Sequence, residues 1–98
     1  MDTQYTITDP DDASRPPLFS FNEWRQVVHV LKLSKRQAEI VGYLMQSQTR
    51  SSIQRILKIK PSTFRTQYDR ARARLGASDK MAISYRVFEV FRQIHGRD

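Results

Sequence analysis

Between Pro61 and Gly76 the spacing of apolar residues admits one regular structure. Phe64, Tyr68, Ala71 and Leu75 fall at i, i+4, i+7 and i+11, which is one face of an α-helix, while Arg65, Thr66, Asp69, Arg70, Arg72 and Arg74 fall elsewhere around it. Proline suits the first helical position because its missing N–H would have no intrahelical partner there, and glycine readily takes the left-handed backbone that ends a helix. The pattern predicts a helix over about 62–75 that packs by one side and offers bases on the other.

The flanking segments carry the same kind of punctuation. Ser20-Phe21-Asn22-Glu23 is a capping box, and Trp24, Val27, Val28 and Leu31 follow at helical spacing, so a helix is expected over about 21–32. Trp24 and Phe21 read as packing residues of this extra helix. Ser34-Lys35-Arg36-Gln37 repeats the device ahead of Ala38, Ile40, Val41, Leu44 and Met45, predicting a second helix that runs to about Ser47. Thr49 can cap a third, with Ile53, Ile56 and Leu57 inward. Beyond Gly76, Ser78 or Asp79 caps a last helix, about 80–95, with Met81, Ile83, Tyr85, Val87, Phe88, Val90, Phe91 and Ile94 along it. No segment reads as a credible strand. The expected class is all-α, a small domain of four to five helices with a helix-turn-helix motif over about 33–77.

Residues 1–17 hold three of the four prolines together with Thr, Ser and Asp, without helical or alternating period, and are expected to form a disordered acidic arm ahead of a domain over 18–98. At 98 residues such a chain supports one core, burying roughly 60–70% of its unfolded surface.

Charge is unevenly placed. The chain carries +7 overall, yet residues 1–14 hold Asp2, Asp9, Asp11 and Asp12 and no base. Between Arg50 and Leu75 stand Arg50, Arg55, Lys58, Lys60, Arg65, Arg70, Arg72 and Arg74 against the single acid Asp69. Such a concentration suits a polyanionic partner. Two helices joined by a tight turn, the second basic on its outer side, form the arrangement that places a helix in the DNA major groove, about 12 Å wide.

Leu33-Ser34-x-Arg36-x-x-Glu39-Ile40-Val41, Ile53-x-x-x-Leu57-x-Ile59, Ser62-Thr63-Phe64-Arg65 and Arg74-Leu75-Gly76-Ala77-x-Asp79-Lys80 together resemble the LuxR/GerE-type helix-turn-helix domain of bacterial transcription regulators, in one ungapped stretch to about Ala82. The resemblance implies sequence-specific duplex DNA binding, commonly as a homodimer through the last helix. It places Arg65, Thr66 and Asp69 at base-facing positions, Thr63, Gln67, Arg70 and Arg74 at phosphate or groove-edge positions, and Glu39 at a structural position facing the turn of the motif. The chain departs from the family's pattern in having Ser47 for a glycine, Ser52 for an acid, Gln54 for an alanine and Lys60 for a hydroxyl cap. Thr63-Phe64-Arg65 with Asp69-Arg70-Ala71-Arg72-Ala73-Arg74-Leu75 also resembles the promoter-reading C-terminal region of sigma factors; the further capped helix after Gly76 favours the regulator. A protein-interaction module of the same fold, docking on a second regulator or on polymerase, is the alternative from another class.

The last helix has more apolar residues than one core stripe needs. Ile83, Val87, Val90, Phe91 and Ile94 suffice for a core, leaving Met81, Tyr85 and Phe88 either as a homodimer contact or covered by the helix from Phe21 to Lys32. Catalysis is not expected: there is no glycine-rich phosphate loop, and the close acid pairs lie in the arm. No cofactor or metal is expected either, because His29 and His95 stand far apart in a chain without cysteine. No run of about 18 apolar residues and no signal-peptide pattern is present, so the expected setting is cytoplasmic, with no membrane partner.

Overall fold

Four of the five complete helices among the described residues begin where a side chain takes up an amide that the helix itself leaves without a partner. In α1 (Phe21–Leu31) the Glu23 N–H donates to Ser20 Oγ at 3.1 Å and the Ser20 N–H donates to Glu23 Oε1 at 2.8 Å, completing the expected capping box. In α2 (Lys35–Met45) Ser34 and Gln37 do the same at 3.2 and 3.0 Å. Thr49 Oγ1 accepts from the Ser52 N–H to open α3 (Arg50–Leu57), and Asp79 Oδ1 accepts from the Ala82 N–H to open α5 (Lys80–His95). α4 (Pro61–Leu75) differs: it has proline at its first position, and its N-cap, Lys60, makes no side-chain capping bond. Replacing Lys60 by serine is expected to stabilise the domain by about 1 kcal/mol, because a hydroxyl there can accept from the Thr63 N–H. A thermal melt checks this, and an unchanged or lower Tm refutes it.

The structure, a computed structural model, describes residues 13–96. Among the described residues there are five complete helices and no strand, so the protein is all-α. No described helix is long and apolar enough to cross a membrane. α2 is the central element, and every residue from Gln37 to Leu44 is buried. α4 packs along α2, α1 along α5, and α5 also meets α2; α3 touches both α2 and α4. Phe19, Val27, Ile40, Ile53, Phe64 and Ile83 close the interior with almost no exposure.

The helices end in tight corners. Gly76 takes the left-handed conformation at φ 64°, as its position predicted. Lys32, Ser47 and Lys58 adopt the same region at 57°, 66° and 57°, although none is glycine. α2 stops at Met45, two residues short of the expected end, because the chain already turns through Gln46 and Ser47.

Three expectations need correction. The arm expected over 1–17 does not extend over 13–17, where Ser14 and Pro16 are buried against the domain. Two residues explain this. Gly42 has no Cβ, so the Ser14 carbonyl can lie directly on α2, and the Gln46 amide Nε2 donates to the carbonyls of Ala13, Ser14 and Arg15 at 3.2, 3.0 and 3.3 Å. Residues 1–12 lie outside the described residues. Second, Ile56 is not inward but 42% exposed; Ile53 alone of its helix is fully enclosed. Third, α1 does not cover the spare apolar residues of α5: Met81 and Tyr85 are 80% and 70% exposed. Phe88 is more covered, at 37% exposed, and meets the Phe19 ring at 5.5 Å.

Candidate nucleic-acid interface

α4 is held to the body by the four residues its spacing singled out, Phe64, Tyr68, Ala71 and Leu75, all buried. Phe64 and Tyr68 stack on each other with centroids 5.6 Å apart, fixing the first two turns. Arg50, at the start of α3, lays its guanidinium over both rings, 5.9 Å from Phe64 and 5.1 Å from Tyr68. A cation over aromatic faces ties the two helices together near their N-terminal ends.

At about 100° per residue, the line opposite the buried face runs through Ser62, Thr66, Asp69 and Ala73. One flank then carries Arg65 and Arg72; the other carries Thr63, Gln67, Arg70 and Arg74. Thr63, Arg65, Thr66, Asp69, Arg70 and Arg74 are all exposed, and Gln67 is half-buried. Gln67 Oε1 accepts from Gln37 Nε2 at 3.4 Å, and Arg70, Ala73 and Arg74 share a shallow hollow with Gln37. The second flank therefore continues onto the first turn of α2.

The arginines of α4 are not equivalent. Arg72 Nη2 donates to Asp69 Oδ1 at 2.8 Å, its Nη1 donates to the Ser78 carbonyl at 2.8 Å, and its guanidinium lies 5.1 Å from the centre of the Tyr68 ring. It joins α4 to the turn before α5, and with three attachments it is the least able of these bases to reach outward. Arg65, Arg70 and Arg74 make no ion pair among the described residues. The sequence counted Arg50 and Arg72 only as charge, since their contacts reach a residue six positions on and a second helix that no helical period encodes.

Glu39 is buried, and its Oε1 accepts from Arg36 Nη1 at 3.0 Å. It lines a groove with Ile56 and Leu57, the last residues of α3, so it lies beside the turn that leads into α4. Ser52, on the outer part of α3, donates its hydroxyl to Gln48 Oε1 at 2.8 Å, and Gln54 is half-buried. On α5, Met81, Tyr85 and Phe88 follow at i, i+4 and i+7 and form an exposed apolar stripe. Among the described residues no group of His, Cys, Asp and Glu is placed to hold a metal ion.

Comparison with known proteins finds no match for this chain among family models, curated proteins or solved structures.

Proposed function

We propose that α3 and α4 act as a helix-turn-helix and that the chain is a LuxR/GerE-like transcription regulator binding duplex DNA. One observation carries the reading: α4 is fastened by Phe64, Tyr68, Ala71 and Leu75 while Arg65, Arg70 and Arg74 are exposed on its other sides and make no ion pair among the described residues. In a major groove Arg65, Thr66 and Asp69 face bases, and Thr63, Gln67, Arg70 and Arg74 face phosphates along the groove edge. The long capped helix α5 after Gly76 supports this reading over a sigma-factor likeness.

Affinity then comes mainly from phosphate neutralisation. With about five bases at phosphates, log Kd against log salt should have a slope of magnitude 4–5, and the double variant Arg70→Ala/Arg74→Ala should reduce it by about 2 for all duplexes alike. Titration of a labelled duplex at several salt concentrations measures both. A slope near zero rejects the proposal.

Met81, Tyr85 and Phe88 support pairing of two copies through α5, which would present two α4 helices about 34 Å apart, one turn of duplex. The same exposed stripe favours a second reading, a protein-interaction module docking on another regulator or on polymerase. A gel shift on random duplex at low salt separates the two: the module gives no shift at about 10 μM protein, whereas a regulator binds without sequence preference at such concentrations.

A further inference from the structure

Asp69 is an anomaly on the face just described. It is the only acid between Arg50 and Leu75, it sits near the outermost line of α4, and its side chain is 52% exposed. A carboxylate carried into a groove walled by phosphates is repelled by both strands; the Arg72 guanidinium offsets this at one oxygen, and the other gains only where it meets a hydrogen-bond donor on the duplex. The donors that base edges offer in the major groove are the exocyclic amino groups, cytosine N4 and adenine N6. Beside adenine N6 stands N7, whose lone pair opposes a second carboxylate oxygen. Beside cytosine N4 stands only a C–H. Cytosine is therefore the better partner.

The local geometry supports this role. Arg72 holds one carboxylate oxygen, Oδ1, at 2.8 Å, and is itself tied to the Ser78 carbonyl and placed over the Tyr68 ring. That brace limits the rotamers of Asp69 and leaves the second oxygen for an outside donor. Arg65 lies one turn earlier, about 6 Å along the axis, within about two base-pair steps of Asp69. Arg65 is exposed and unpaired among the described residues, so it is available for guanine O6 and N7.

We infer that Asp69 is a specificity-determining residue that accepts a hydrogen bond from cytosine N4, with Arg72 as its positioning residue, so that the preferred site holds a cytosine within two or three base pairs of a guanine read by Arg65. The inference rests on the duplex-binding reading above.

Selection of bound duplexes from a random pool, run in parallel on the whole chain and on Asp69→Asn and Asp69→Ala, tests it. The unaltered chain should enrich cytosine at one fixed position, with discrimination of roughly five- to a hundredfold. Asp69→Asn should move that one position to adenine, because an amide donates to N7 and accepts from N6. Asp69→Ala should flatten it and leave the guanine position intact. An enriched motif unchanged in both variants overturns the role of Asp69 while duplex binding stands, as does duplex retained with no base enriched. If the unaltered chain retains no duplex at low salt, the DNA-binding reading itself falls, and the cytosine contact with it.

Discussion

Replacing Gly42 by alanine is expected to destabilise the domain by about 3 kcal/mol, although alanine in a helix normally stabilises it by about 1 kcal/mol relative to glycine. The sign reverses because of what faces α2 at this point. A Cβ on residue 42 would lie inside the contact radius of the Ser14 carbonyl oxygen, and backbone cannot move aside by changing rotamer. The Trp24 ring also borders the site, 3.5 Å from where the new carbon would be, which closes the other route of escape. Relief comes by lifting the segment around Ser14 away from the helix. That movement breaks the three bonds from Gln46 and pulls on Phe19, which packs at 5.7 Å on Trp24 and 5.0 Å on Phe91. At about 4–8 °C per kcal/mol for a chain of this size, Tm should fall by roughly 12–24 °C. The near-ultraviolet signal of Trp24, the only tryptophan, should weaken with it. A variant as stable as the parent would mean that residues 13–15 do not lie on α2.

Phe64→Ala is expected to cost about 3–5 kcal/mol, a large share of what holds a domain of this size together. Phe64 is 1% exposed and stacks on Tyr68, and it is half of the aromatic surface beneath Arg50. Its removal leaves a cavity between α4 and the body and frees the start of α3 at the same time. Under the proposed DNA-binding function the consequence is specific: an α4 that rocks on its seat cannot keep Arg65 and Asp69 in register with base edges, so sequence preference should fall before phosphate-driven affinity does. Phe64→Leu, which refills most of the volume, should recover more than half of the stability. Chemical denaturation of the three proteins measures the effect, and a loss below about 1 kcal/mol for the alanine variant would show that α4 is anchored elsewhere.

Much of this architecture could be read from local signals. The starts of α1 and α2 are written in hydroxyl-to-carboxylate or hydroxyl-to-amide pairs three residues apart, and Pro61 and Gly76 bracket α4, because the groups that cap a helix lie within a few residues of its end. The buried face of α4 follows from its period. What escaped the sequence are contacts between residues distant along the chain. Nothing near Ser14 announces that it lies on Gly42, and a proline-rich stretch without period looks like a tail whether or not a groove is cut for it. Arg72 and Arg70 are indistinguishable as letters, yet one is tethered to Asp69 and Ser78 while the other faces out. Ile56 fell on the wrong side because a helix of 8 residues offers too few turns for its period to define an axis.

The corners at Lys32, Ser47 and Lys58 have a bearing on how this domain can evolve. Each holds an L-residue in a backbone region that costs about 1–2 kcal/mol without glycine, and all three lie outside the packed interior. A lineage colonising a hotter habitat could therefore gain heat tolerance one bend at a time, leaving core and arginine-bearing helix untouched. Glycine at Lys32 or Lys58 would also discard a cation, and Lys58 stands at the turn into the helix proposed to meet DNA, so Ser47 is where tolerance to heat and the proposed grip on a polyanion are least entangled.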